Sequence, residues 1–278
     1  MPTPRLTLNN GVKIPQLGYG VFQVPPDETK DAVLQAFDVG YRHIDTAQSY
    51  RNERGVGEAL RESGLARGDV FVTSKLNNGA HATQAAHDAF DRTLDELGTD
   101  YVDLFLIHWP LAMLSDYVET WRALEDIYAS GRAKAIGVSN FQRAHLRRLL
   151  EETTVPPAVN QIEVHPYLTQ TGLRALAFEH GIAVEAWSPL GQGAVLGDET
   201  IARIARDHGR TPAQVVLRWH LQHGHVVFPK SVTRSRVEEN FDVFGFTLHD
   251  EDLADIDALD RDERTGPDPD TFDRVPPA

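Results

Sequence analysis

The 278-residue sequence contains no cysteine, which excludes disulfides, thiolate metal sites, iron–sulfur clusters and a cysteine nucleophile together. It is also short of positive charge. Its 27 Lys and Arg stand against 41 Asp and Glu, a formal net charge of −14. Such a surface repels nucleic-acid phosphates and anionic lipid at long range, so neither partner is expected. No long hydrophobic run is present. The start, Met1-Pro2-Thr3-Pro4-Arg5, lacks the apolar centre of an export signal, and the greasiest stretch, Val102 to Leu114, is interrupted by Asp103, His108 and Pro110. A cytoplasmic location is the resulting expectation. The third glycine of Gly-x-Gly-x-x-Gly is missing as well: Gly18 and Gly20 lead into Phe22-Gln23-Val24, and Gly191-Gln192-Gly193 is followed by a glycine at 197, one residue late. An open doubly wound sheet with a dinucleotide fingerprint therefore lacks its main signature.

What is present suits a globular α/β protein. With 41% hydrophobic and 24% charged residues, the chain can build a large core. Its length admits two ordinary domains or one barrel, and the absence of a low-complexity linker favours a single domain over 1–278. Residues 1–14 alternate around Asn10-Gly11, which predicts a β-hairpin with a type I′ turn. Eight short Val-, Ile- and Phe-rich runs follow, at 16–21, 41–46, 71–76, 102–108, 134–138, 158–164, 182–187 and 226–229. Between and after them the helical periodicity predicts helices near 27–39, 52–63, 82–97, 117–130, 142–152, 170–180, 199–208, 212–222, 235–244 and 250–259. Thr211-Pro212 reads as an N-cap and first helical residue, and Gly40, Gly98, Gly131, Gly181 and Gly209 fall just past helical stretches. The strands show little alternation, as expected when both faces are covered. The pattern predicts a (β/α)8 TIM-type barrel with an N-terminal hairpin, extra helices near the C-terminus and an irregular tail over 266–278.

In such barrels the chemistry sits at the C-terminal ends of the strands. Asp45, Lys75 and His108 each close a predicted strand, and Tyr50 lies five residues past Asp45. Singly, each has an ordinary explanation: a helix cap, a solvated lysine, packing before Trp109-Pro110, a rim tyrosine. Together they form a device in which an ammonium, held by a carboxylate, lowers a phenol from its usual pKa near 10, while an imidazole orients a carbonyl. That is machinery for carbonyl reduction.

Six ordered segments then carry a resemblance. They are 40–47 with Tyr50, Thr73-Ser74-Lys75-Leu76, Val102-Asp103-Leu104 with His108-Trp109-Pro110, 136–141, Asn160-Gln161-Ile162-Glu163 and Pro229-Lys230-Ser231-Val232. With them the chain resembles the aldo-keto reductase family over nearly its whole length. Through 185–191 and 215–222 it is most similar to the bacterial 2,5-diketo-gluconate reductase group. The resemblance implies a barrel binding NADPH or NADP+ without a Rossmann fingerprint, with Tyr50 as general acid, Lys75 and Asp45 as its tuning pair and His108 orienting the substrate. It also implies that Ser139, Asn140 and Gln161 hold the nicotinamide carboxamide, Trp187 stacks on the ring, and Ser188, Leu190 and Gly191 follow the pyrophosphate. Lys230, Ser231, Val232, Thr233, Arg236, Glu239 and Asn240 would form the adenosine end. Two cations there make an anion site in an acidic protein. Phe22, Trp109 and Asn140 are expected to line the substrate pocket.

The chain departs from the family at Asn77, where many relatives carry an aromatic, and in a short segment after Trp109, which together predict a pocket with one wall removed. His220, His223 and His225 are expected to be surface histidines at a helix end, with no metal bound. Partners reduce to a small-molecule carbonyl, and the chain is expected to be a monomer. Two rivals use the same residues: a Schiff-base aldolase with Lys75 as nucleophile, and an NADPH-sensing subunit with negligible turnover.

Overall fold

The computed structural model describes residues 3–275; Met1, Pro2 and 276–278, the end of the expected tail, lie outside the described residues. A two-stranded hairpin, β1 (Arg5–Thr7) and β2 (Lys13–Pro15), comes first. Its turn differs from the expected type I′. Gly11 N–H donates to Leu8 O at 2.9 Å, and only Gly11 is left-handed, at φ 88°. This is a three-residue loop in which a first turn of ordinary hand is closed by a left-handed glycine.

Eight parallel strands follow: β3 (Tyr19–Gly20), β4 (His43–Asp45), β5 (Phe71–Leu76), β6 (Leu104–Ile107), β7 (Ile136–Ser139), β8 (Val159–Glu163), β9 (Ala183–Trp187) and β10 (Val226–Val227), paired in chain order. The first and last edges meet, because Gly18 N–H donates to Val227 O at 2.7 Å and Val227 N–H to Gln16 O at 3.0 Å. That seam closes the expected barrel. The helices wrap it: α1 (Pro26–Val39), α2 (Glu53–Glu62), α3 (Thr83–Leu97), α4 (Tyr117–Ala129), α5 (Arg143–Glu152), α6 (Thr171–Glu179), α7 (Glu199–Asp207), α8 (Pro212–Gln222), α9 (Arg234–Phe241) and α10 (Asp250–Asp257). Thr211 caps α8 in a reciprocal box with Gln214, and the five glycines expected past helices all have positive φ.

Strand parity divides the core. Phe105 and Ile107 pack outward against helices, while Leu104 and Leu106 point into the barrel with Phe71, Ala135, Ala158, Val159 and Val226. Leu8 and Ile14 of the hairpin join that inner cluster, so the hairpin plugs the N-terminal mouth. Towards the other mouth the inward positions turn polar. Asp45, Lys75, Gln161 and Glu185 occupy them, all at most 2% exposed.

Candidate active site

Asp45 ends β4, and the chain then makes a short 3-10 turn, Gln48–Tyr50, closed by Arg51 at φ 59°. Gln48 stakes this turn. Its amide donates to Ala89 O and Thr93 Oγ1, and its oxygen accepts from Asn77 N–H at 2.7 Å. The phenol of Tyr50 is thereby returned over the barrel mouth. Lys75 Nζ donates to Asp45 Oδ1 at 2.7 Å and Thr46 O at 2.9 Å, and lies 3.4 Å from the Tyr50 hydroxyl. His108 follows β6 with its ring edge-on to Tyr50, centroids 5.8 Å apart, and its Nδ1 is 3.3 Å from Ser49 Oγ. The three strand-end residues and Tyr50 therefore meet.

Their electrostatics differ from expectation in one respect. Burial pushes the Tyr50 phenol above 10, outweighing the lowering by Lys75. The phenol is thus fully protonated at neutral pH, and Lys75 limits the rise without reversing it. Burial would lower Lys75, but Asp45, with Tyr50 and Glu185, holds it above the ordinary amine value. Burial also raises Asp45, against the pull of Lys75 and a hydrogen bond from Gln161. Burial, with Lys75 nearby, brings His108 down to about 3, so its ring is neutral.

Ser139, Asn140 and Gln161 adjoin this cluster. Ser139 Oγ donates to Gln161 O at 3.0 Å, and Asn140, left-handed at φ 63°, donates to His108 O at 2.9 Å. Trp187 Nε1 donates to Asn140 Oδ1 at 2.9 Å, which fixes the indole beside the mouth. Past it, Ser188, Gly191, Gln192 and Gly193 all have positive φ, from 47° to 95°, around Leu190. Consecutive residues of this hand turn backbone N–H groups toward one side, as anion-binding loops do. A Cβ on Gly193 would meet nothing within 4 Å.

The cluster 230–240 lies across the barrel seam, where Tyr19 hydroxyl donates to Ser231 O and Tyr41 hydroxyl to Val237 O. Lys230, Val232, Thr233 and Arg236 are exposed, Asn240 is buried, and Glu239 accepts from Thr211. Arg234 is taken by Asp38 and Glu238, whereas Lys230 and Arg236 have no carboxylate partner among the described residues. A left-handed loop and two unpaired cations on one rim fit a dinucleotide phosphate.

The pocket walls are partly as expected. Phe22, 55% exposed, packs on Tyr50 with centroids 5.0 Å apart. Trp109 stacks at 4.0 Å on Phe272 of the tail, so an aromatic from the C-terminus stands at the rim that the short loop and Asn77 leave open. The tail is irregular but anchored. Thr265 and Gly266 N–H groups donate to the Glu163 carboxylate, Gly266 lies against Trp187, and Asn78 donates to Arg274 O. Glu163 and Glu185, both inside segments that carry the resemblance, were assigned no role from sequence. The signal was a carboxylate within a doubly covered strand, which cannot be buried without partners.

The expectation of surface histidines fails for two of the three. His220 and His225 are buried and face each other at 3.0 Å, and His223 pairs with Asp257 at 3.0 Å. Burial holds His220 at about 3, so it brings no charge to the helix end. A surface cleft beside Leu65, Arg67, Leu97 and Tyr101 lies at the N-terminal ends of β5 and β6 and contains none of the groups above.

Comparison with known proteins agrees with this architecture. The profile of the Aldo/keto reductase family matches residues 15–261. An aldo-keto reductase of Mycolicibacterium smegmatis is 51% identical over 97% of this chain and 98% of its own. A glyoxal reductase of Bacillus subtilis is 49% identical over 97% and 99%. The crystal structure of a Bombyx mori aldo-keto reductase in complex with NADP superposes with a TM-score of 0.90 at 36% identity, covering 95% of each chain. On its sequence, its closed barrel and these likenesses, the chain belongs to the aldo/keto reductase family.

Proposed function

We propose that Asp45, Tyr50, Lys75 and His108 are the groups with which this NADPH-dependent carbonyl reductase works, and that its substrates are small carbonyl compounds of the 2-oxoaldehyde and sugar-diketone kind. The observation that carries the reading is the buried chain from Asp45 through Lys75 to the Tyr50 hydroxyl at the barrel mouth. When bound, NADPH supplies the hydride. Tyr50, protonated at neutral pH, gives its proton to the substrate oxygen as negative charge builds there. Lys75 stabilises the phenolate left behind, and Asp45 keeps the ammonium charged and in place. His108, neutral, has its Nε2 edge free to donate to the same oxygen when Nδ1 accepts from Ser49. Trp187 and Asn140, tied to each other, wall the nicotinamide side, and Phe22, Trp109 and Phe272 wall the substrate side.

The cationic state of Lys75 opposes the Schiff-base alternative, which needs a free amine. The substrate class is supported by the glyoxal reductase likeness and by the resemblance of 185–191 and 215–222 to the 2,5-diketo-gluconate reductase group. The same reading takes the chain as a cytoplasmic monomer. Among the described residues the exposed large apolar side chains are Phe22, Met113 and Leu114 on loops, Phe178 on α6, Val232 before α9 and Val275 in the tail, and no helix is long and apolar enough to cross a membrane.

A panel of methylglyoxal, glyoxal, a diketo-gluconate and aromatic aldehydes, scored by loss of NADPH absorbance, tests the class. Tyr50→Phe should lower turnover on the best of them by at least about 10²-fold, the scale of a positioned acid, with NADPH affinity nearly unchanged. Undiminished reduction by that variant would remove Tyr50 from its role.

A further inference from the structure

The polar layer inside the barrel contains one carboxylate that the chemistry above does not use. Glu185, in the middle of β9, is completely buried, and its Oε2 lies 2.7 Å from Gln161 Nε2. The same nitrogen lies 2.8 Å from Asp45 Oδ2. A carboxamide nitrogen has two hydrogens, and here each points at a different carboxyl group. Turning the amide over would place its oxygen against the Asp45 carboxylate, which Lys75 holds. Gln161 is therefore locked, and among the described residues no donor reaches its Oε1. That oxygen is what the side chain can offer a ligand.

We propose that Glu185 is a positioning residue of the reductase, pinning the Gln161 amide so that its free oxygen receives the carboxamide N–H of the nicotinamide. The inference rests on Gln161 facing that ring. It also explains why a second carboxyl is tolerated beside Asp45. Burial, then the nearby Asp45 charge, raise Glu185 to about 8, so it is neutral at pH 7. Asp45 then remains the negative charge that balances Lys75. The groups facing Glu185 are Asp45 from β4, Lys75 from β5 and Gln161 from β8; β10 brings only Val226 beside it. Because the folded pKa lies above the usual carboxyl value, the neutral form prevails below about pH 8 and is lost as pH rises through it. A second buried anion then faces Asp45 and Lys75 and makes the proton of Tyr50 harder to give. The phenol itself sits above 10, so an alkaline limb near pH 8 belongs to Glu185.

The test compares wild type, Glu185→Leu, Glu185→Gln and Gln161→Ala by isothermal titration calorimetry with two probes, NADPH and 2′,5′-ADP, which lacks the nicotinamide. Glu185→Leu should bind NADPH roughly 5- to 10-fold more weakly, the size of one lost hydrogen bond, and 2′,5′-ADP as wild type. Glu185→Gln keeps an acceptor, so it should restore NADPH binding while losing the limb near pH 8 in the reduction rate. Wild-type NADPH affinity in Glu185→Leu overturns the proposal, and so does equal weakening of both probes. If the leucine variant does not fold, Glu185→Met is titrated with the same two probes, and wild-type NADPH affinity there overturns the proposal instead. Gln161→Ala separates the two levels. Unchanged NADPH binding there sinks the assignment of Gln161 itself, whereas weakened binding there with a normal Glu185→Leu sinks only the role of Glu185.

Discussion

Lys75 is completely buried yet charged, and what makes this tolerable is the set of oxygens around its ammonium: Asp45 Oδ1, Thr46 O and the Tyr50 hydroxyl. Lys75→Met removes the cation and leaves the neighbours in a dry site. Asp45, already pushed up by burial, then takes a proton more readily, and the Tyr50 phenol rises further because the charge that opposed its rise is gone. Two outcomes are expected together: turnover lower by about 10²-fold or more, and stability lower by roughly 3–5 kcal/mol, the usual result of removing one partner of a buried ion pair. Steady-state kinetics and urea unfolding measure them separately. Full turnover in this variant would make Lys75 a purely structural residue. At this scale the sequence was informative about residue types and less so about their energetics. Asp45, Lys75 and His108 could be singled out because each is polar at a strand end, and Tyr50 because it lies in the loop just past Asp45. The sign of the Tyr50 shift could not, because it depends on how deeply the 3-10 turn buries the ring, and that depth is set by Gln48 reaching Ala89 and Thr93 more than forty residues away.

Elements were legible where local chemistry decides them. Thr211-Pro212 begins α8 and Gly98 ends α3 because capping and left-handed glycine geometry act over a few residues. The eight strands were legible because doubly covered strands read as apolar runs. The tail was not, since it has no periodicity and is held through distant partners. Glu163 gathers Thr265 and Gly266, and Gly266 touches the indole expected to cover the nicotinamide. A Cβ at 266 would come 2.3 Å from Trp187 Cη2 and 3.0 Å from Cζ3, so the strap or the ring must move. Overpacking of this kind costs about 1–3 kcal/mol. Gly266→Ala should therefore weaken NADPH binding, by roughly 2- to 12-fold if half of that cost falls on the cofactor-ready position of Trp187, and should reduce the NADPH-induced quench of tryptophan emission. Titration of that quench checks both. Wild-type affinity and quench would mean that the tail yields freely and has no part in setting the indole.

The whole molecule carries a net charge of −14, and barrel closure places two exposed cations just past the last strand. Lys230 follows β10, Arg236 lies in the first turn of α9, and both face solvent without a carboxylate partner among the described residues. Nearby Arg234 is neutralised by Asp38 and Glu238. Lys230 and Arg236 lie on the same seam that joins Gly18 to Val227, and only the closed barrel brings this segment alongside Tyr19 and Tyr41. Sequence could mark the cations; it could not tell which of three neighbouring basic residues remains unpaired. Two unpaired cations beside the barrel mouth of an acidic protein suit a ligand that brings its own negative charge, and the family resemblance makes that ligand group the 2′-phosphate that distinguishes NADPH from NADH. Charge-assisted bonds to a phosphate correspond to about 10- to 150-fold in affinity, and the exposure of Arg236 favours the low end. Arg236→Ala should thus weaken NADPH by about tenfold and leave NADH almost unchanged, so the preference collapses from one side. Raising salt should reproduce part of the loss for NADPH in wild type and little of it in the variant, because screening acts on a contact the variant no longer makes. Equal weakening of NADPH and NADH in Arg236→Ala would show a residue that supports the loop, and the adenosine end would then have to be sought elsewhere on the rim.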